Sequence, residues 1–218
     1  MGKKRIDKDK IIQAFLTSAA EKSAGATSLA DIGVILSVNK ASLYNHFSSR
    51  DEIYDAAIDF CGIYMQNVQF FPADTAVSKK DGFTDTVKKL IRQYFRSYEI
   101  EPLFQMYAFM YSEKFFNEKA ASIAADEKKK IADGIISLAK KCVELKRITE
   151  QNAADLSSRA SFFSDALSSQ LNSYITAKKE TVRQNPETGA GSLFALPTDD
   201  KLLGSIIEQD TAFWNMFN

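Results

Sequence analysis

Residues 27–53 read TSLADIGVILSVNKASLYNHFSSRDEI, and this stretch decides the fold. Ser28 is an N-cap residue followed by Asp31 at the position where an acid can answer it, so a short helix starts there. Asn39 is a second N-cap, opening another short helix, and Ser49 with Glu52 forms an S-x-x-E box at the head of a third. The apolar residues Leu29, Ile32, Leu36, Val38, Leu43 and Phe47 are spaced to share one core across the first two helices. Gly33 supplies the small side chain that a close crossing of those helices needs. Asn39, Lys40, Ala41, Ser42 and Asn45 are left pointing outwards.

Working outward, the rest of the chain is predicted to be helical from end to end. Ile11, Ile12, Phe15, Leu16 and Ala19 form the stripe of a first helix over about 7–22, stopped near Gly25. The helix opened by Ser49 is expected to run to Phe71-Pro72, because a proline disfavours helical geometry in the residue before it. Further helices are expected over about 83–98, from Pro102, over about 117–145, over about 152–182 and from about 199. The segment 183–197, with two prolines and two glycines, reads as a loop. The expectation is an all-α protein of about nine helices. Residues 1–50 would form a small three-helix head with a basic arm, and residues 51–218 a larger helical domain.

Composition narrows the function. The 218 residues carry 28 basic and 28 acidic side chains, so the net charge is zero. The distribution is uneven: residues 1–50 hold eight Lys or Arg against four acids, a net of +4. A basic end on a neutral chain suits a local phosphate-binding surface. Cys61 and Cys142 are too few for a disulfide framework or zinc site, and a single histidine offers no metal set. No metal and no cofactor is therefore expected. No apolar run approaches the ~18–20 residues that span a bilayer, and no signal peptide is visible. A cytoplasmic, non-membrane protein is the expectation.

A helix-turn-helix with a small polar N-terminal face on its second helix is suited to major-groove readout. Short polar groups and one lysine can reach base edges there, and the helix dipole favours nearby phosphate. The Tyr44 hydroxyl and a His46 N–H can donate to phosphate oxygens. Arg50 opens a helix, where a cation opposes the dipole, and a facing phosphate would remove that conflict. Ordinary capped helices and internal hydrogen bonds would account for the same residues without DNA.

The run S-L-A-D-I-G-x-x-L-S-V-N-K-A-S-L-Y-N-H-F-x-S-R-D-E-I resembles the DNA-binding domain of TetR-family transcriptional regulators. Its strongest part is Leu43-Tyr44-Asn45-His46-Phe47 with Arg50, preceded by Val38 and Lys40, and the match covers about the first 55 residues. It departs from the family pattern at Gly33, where alanine is usual, and at Ser37, where the turn usually carries glycine. The resemblance implies that Thr27 or Ser28, Tyr44, His46 and Arg50 hold phosphates, while Asn39, Lys40 and Ser42 lie over bases. The arm with Lys3, Lys4, Arg5, Lys8 and Lys10 would add salt-sensitive backbone contacts.

A head of this size reads few base pairs, so a specific site calls for two copies about a two-fold axis. The last two helices are the expected homodimer surface, through Phe163, Leu167, Leu171, Tyr174, Ile206, Phe213, Trp214 and Phe217. Ten aromatics lie between Phe83 and Phe116. Most belong to a core, but tyrosines mixed with apolar residues also suit a pocket for a largely apolar or aromatic effector. Tyr94, Tyr98, Phe104, Tyr107 and Tyr111 are the expected lining, with Met106 and Met110 as adaptable walls. The expected function is a DNA-binding regulator, a repressor that holds a palindromic operator as a homodimer and releases it when a small molecule binds. The alternative is a dimeric helical sensor or interaction module that has lost specific DNA binding. No nucleophile–base pair or Gly-rich phosphate loop points to an enzyme.

Overall fold

The computed structural model describes residues 6–70, 77, 82–148, 155–184 and 200–215. Among them are nine α-helices and no β-strand: α1 (Lys8–Lys22), α2 (Leu29–Leu36), α3 (Lys40–Tyr44), α4 (Arg50–Gln66), α5 (Phe83–Ser97), α6 (Leu103–Glu113), α7 (Glu118–Glu144), α8 (Leu156–Gln184) and α9 (Asp200–Asn215). They group into two compact units, residues 1–67 with 102–124, and residues 68–101 with 125–218.

The first unit is built around α1, which packs against α2, α4 and α6. Asp7 caps it by accepting the Lys10 N–H at 2.9 Å. Ile11, Phe15, Leu16 and Ala19 then fall on one face and are all buried. They meet Leu29 and Ile32 of α2, Leu43 of α3, Ile53, Ala57 and Ile58 of α4, and Met106, Phe109 and Met110 of α6. Phe15, Tyr54 and Phe109 pack edge to face around one point, with ring centroids 5.6–6.4 Å apart. Removing any one such ring from water is worth ~1.5–3 kcal/mol. The unit that contains the short helices therefore extends beyond residue 50, because α4 and α6 complete its core.

In the second unit α5 shows the clearest pattern: Phe83, Thr86, Val87, Leu90, Ile91, Tyr94 and Phe95 recur at helical spacing and are all buried. This face packs on α9, and α9 packs on α8. Phe83 and Trp214 meet edge to face at 5.1 Å, and Phe163 lies 5.3 Å from Trp214.

Three local expectations are corrected. Helix α4 stops at Gln66 rather than at Phe71-Pro72, since Asn67 closes it: its backbone N–H turns onto Tyr64 and its side-chain amide donates to the Ile63 carbonyl at 3.1 Å. At the head of α4, Ser49 Oγ accepts the Glu52 N–H at 3.0 Å, but the Glu52 carboxylate takes the backbone and hydroxyl of Ser48 instead of Ser49. Helix α8 continues through Arg183 to Gln184, and residues 185–197 of the expected loop lie outside the described residues, as do Phe71, Pro72 and the expected start of α8 at Asn152.

Candidate nucleic-acid interface

The α2–turn–α3 segment is fixed at each joint by a named contact. At the head of α2, Ser28 Oγ and Asp31 form a reciprocal capping box. Lys22 of α1 reaches the same carboxylate at 2.6 Å. The Lys22 ammonium, then the Ser28 hydroxyl and N–H, hold the Asp31 carboxyl well below the usual carboxylate range. At the far end Ser37 takes the left-handed conformation (φ 57°, ψ 46°). The Val38 N–H donates to Gly33 O at 2.8 Å and the Ser37 N–H to Val34 O at 3.1 Å, the paired bonds of a Schellman end. A Cβ on Gly33 would stand 2.8 Å from the Val38 carbonyl oxygen. Gly33 thus makes room for the turn itself.

Asn39 caps α3, its Oδ1 accepting from both the backbone and hydroxyl of Ser42 at 2.9 Å. Leu43 and Phe47 are buried, with Leu36 and Val38 partly buried against the same core. The opposite side carries Asn39, Lys40, Ala41, Tyr44 and Asn45, all exposed, with Ser42 and His46 half-buried. Lys40 Nζ lies 5.8 Å from the Tyr44 ring centroid, and Tyr44 is 49% exposed. Ser28 is exposed at the head of α2. Seven of the eight residues expected at DNA are therefore at least partly accessible, six of them around one short helix and its neighbour's N-terminus.

The other two are placed differently. Thr27 is buried, its hydroxyl within reach of the Ser23 carbonyl at 2.9 Å and Ser18 Oγ at 3.1 Å, so Ser28 is the accessible member of that pair. Arg50 turns inward. Its Nε donates to the Thr27 carbonyl at 3.2 Å, Nη2 donates to the Ala24 carbonyl, and Nη1 meets Asp51 at 3.2 Å. The dipole conflict at the head of α4 is answered by two backbone carbonyls. Sequence spacing could not reveal this, because the acceptors lie 23 and 26 residues away. Also missed were the apolar Val34 and Ile35, which stand exposed on α2. Of the basic arm, Lys8 and Lys10 are exposed at the start of α1, and Lys3, Lys4 and Arg5 lie outside the described residues.

The aromatic residues expected to line an effector pocket fall into two groups, one in each unit. Tyr94 and Tyr98 both donate their hydroxyls to Oε1 of the buried Glu127. Phe104, Tyr107 and Tyr111 are buried on α6, with the two tyrosine rings stacked 4.0 Å apart. The sequence pattern gave no sign of Glu127, nor of Glu99, which is buried with Lys178 and accepts from the Tyr174 hydroxyl, the Lys178 ammonium and Arg96. Among the described residues no group of three or more His, Cys, Asp or Glu side chains comes together as a metal site, and no helix is long and apolar enough to cross a membrane.

The residues expected at a subunit interface have these places within the chain. Phe163, Leu167, Leu171, Tyr174, Ile206 and Trp214 are buried within the chain itself, and Phe213 is half-buried. Phe217 lies outside the described residues. Among the described residues, the large apolar side chain that α8 exposes is Phe162, at 63%, stacked on Phe213 at 5.5 Å.

Known proteins share both the segment and the fold. Residues 11–57 match the model for bacterial regulatory proteins of the tetR family. The negative transcriptional regulator IcaR of the biofilm operon icaADBC, from Staphylococcus aureus strain Newman, is 41% identical over 61 residues, 28% of this chain and 33% of IcaR. The match thus spans about a third of the curated relative's length. A transcriptional regulator from Rhodococcus sp. Rha1 has the same fold over 95% of both chains, with a TM-score of 0.58 at 11% identity. A tetR-family regulator from Streptomyces coelicolor covers 94% of this chain and 88% of its own, with a TM-score of 0.55 at 12% identity. Over residues 11–57 the chain is thus similar to the N-terminal domain of tetR-family bacterial regulatory proteins, and over nearly its whole length it shares the fold of these two solved transcriptional regulators.

Proposed function

We propose that the chain is a DNA-binding transcriptional repressor that holds a palindromic operator as a homodimer and leaves it when a small, largely apolar or aromatic molecule binds. The observation that carries this reading is the two-sidedness of α3. Leu43 and Phe47 anchor it in the core, while Asn39, Lys40, Ala41, Tyr44 and Asn45 face water on the other side. Lys40 and Asn45 are of the types that hydrogen-bond guanine and adenine edges, and Ala41 can meet a thymine methyl. Ser28, Tyr44 and His46 would contact the flanking phosphates. The IcaR relative is a negative regulator, which favours repression.

Two copies would meet through the outer faces of α8 and α9, where Phe162 stands exposed. The effector would act by shifting α4, which would change the spacing of the two heads. A coupling of only ~1–3 kcal/mol alters occupancy 5- to 150-fold. Footprinting of the DNA that flanks the protein's own gene tests this. A protected two-fold symmetric site at low salt is expected. A well-folded dimer that protects none would mark a sensor or interaction module without specific DNA binding.

A further inference from the structure

We propose that Arg50 is a positioning residue for DNA recognition, a clamp that sets the angle of α2 from behind rather than a ligand of the phosphate backbone. This rests on the DNA-binding reading above. The α1–α2 corner is a turn from Ala24 to Thr27, closed by the Thr27 N–H donating to the Ala24 carbonyl at 3.2 Å. The two carbonyls at its ends are the two that Arg50 holds, Thr27 O through Nε and Ala24 O through Nη2. The next residue is Ser28, the cap of α2 and a candidate phosphate contact.

Each of the guanidinium's three nitrogens has a partner in this position. Its third nitrogen meets Asp51, and its carbon lies 5.7 Å from the Phe15 ring centroid and 5.8 Å from that of Tyr54. Its side chain is 29% exposed. A planar fork places two nitrogens against two acceptors at once while its carbon stays near both rings. A lysine has three N–H donors, but they diverge from a single nitrogen, whereas here two separate nitrogens reach the two carbonyls. Tyr54 is itself fixed: its hydroxyl donates to Glu113 of α6 at 2.9 Å, and burial, then that carboxylate, pushes it up to about 12, so it remains a donor. Helices α1, α4 and α6 thereby converge on the corner that carries α2.

The test uses the full chain with Arg50→Lys and Arg50→Ala, and a duplex selected by the wild-type chain from a random-sequence pool. All measurements are made where circular dichroism shows each variant folded. Under the proposal both variants lose about tenfold or more in affinity, and the slope of log affinity against log salt stays at the wild-type value because no phosphate contact is lost. In the free protein, backbone amides of residues 27–32 exchange faster in both variants, by about tenfold. If Arg50→Ala does not fold, Arg50→Lys alone decides. A phosphate ligand would behave otherwise: Arg50→Lys within about twofold of wild type, Arg50→Ala with a slope shallower by about one, and exchange unchanged. That result overturns the proposal, as does wild-type affinity in both variants. If the wild-type chain selects no duplex, the DNA reading fails, and the exchange measurement still decides whether the clamp exists.

Discussion

Gly33 and Val38 touch across the turn between α2 and α3: the Val38 N–H donates to the Gly33 carbonyl at 2.8 Å, and the Val38 carbonyl oxygen lies 2.8 Å from where a Gly33 Cβ would stand. The neighbour is backbone, so it cannot rotate away. Gly33→Ala gains ~1 kcal/mol of helix propensity but must move the turn. A net loss of about 1–3 kcal/mol is expected, as for other forced overpacking. Ser37 holds a left-handed conformation that costs a non-glycine residue ~1–2 kcal/mol. Ser37→Gly should therefore stabilise by up to about 1 kcal/mol. Urea midpoints check both, and a stabilised Gly33→Ala would refute the contact.

These two positions also show what the sequence could and could not say. Caps, the apolar spacing of Leu29, Ile32, Leu43 and Phe47, and the exposed side of α3 were all readable, because they are local and periodic. Gly33 was recognisable as a small residue at a tight spot, but its partner was taken to be a helix and is a turn carbonyl. Arg50 and the buried Glu99 and Glu127 were opaque for one physical reason: each is explained by partners tens of residues away that only the packed chain brings near. The α8 stripe was legible as apolar, yet periodicity does not distinguish a core face from a subunit face, and Leu167 and Leu171 belong to the core.

Glu101 makes stability depend on pH. Burial pushes its carboxyl up to about 7, and its Oε1 has no hydrogen-bond partner. Burial likewise pushes the buried Asp210 up to about 6, although the Gln170 amide at 3.0 Å opposes it. An acid whose folded value is raised binds its proton more tightly when folded. Its cost is absent below the unfolded value and grows as pH rises to the folded one, so stability should fall between about pH 4 and pH 7. Each group can contribute at most on the order of 3 kcal/mol above that window. Glu101→Gln and Asp210→Asn should raise the urea midpoint at pH 8 and leave it nearly unchanged at pH 4. An equal gain at both values would assign their effect to packing.

The pair Glu99 and Lys178 is buried on both sides. Burial alone would raise the Glu99 carboxyl, but Arg96, Lys178 and Tyr174 outweigh it and hold it below the ordinary value. Lys178→Met leaves that carboxylate without its ammonium, and a loss of about 3–5 kcal/mol is expected. Adding Glu99→Gln should recover part of the loss, since the double variant buries no unpaired charge. A double-mutant cycle in urea with no coupling between the two positions would contradict the pairing.

Lys40 is the exposed cation on the side of α3 proposed to face DNA. Its ring contact with Tyr44 is a surface contact and worth little to folding. Lys40→Glu should therefore leave the melting temperature within a degree or two while lowering affinity for the footprinted site at least tenfold. Retained affinity would move the contact surface away from α3.

Helix α8 carries two kinds of apolar residue. Phe162 is 63% exposed, whereas Leu171, nine positions on, has none of its side chain in water. A charge at position 162 meets solvent in a lone chain and an apolar partner in a dimer. Phe162→Glu should keep helicity and shift sedimentation toward the monomer, with dimer dissociation at least tenfold easier. A glutamate in place of Leu171 must be buried within the subunit itself, at a cost of several kcal/mol, so Leu171→Glu should unfold the chain. If Phe162→Glu sediments as wild type at every concentration, the outer face of α8 is not where two copies meet.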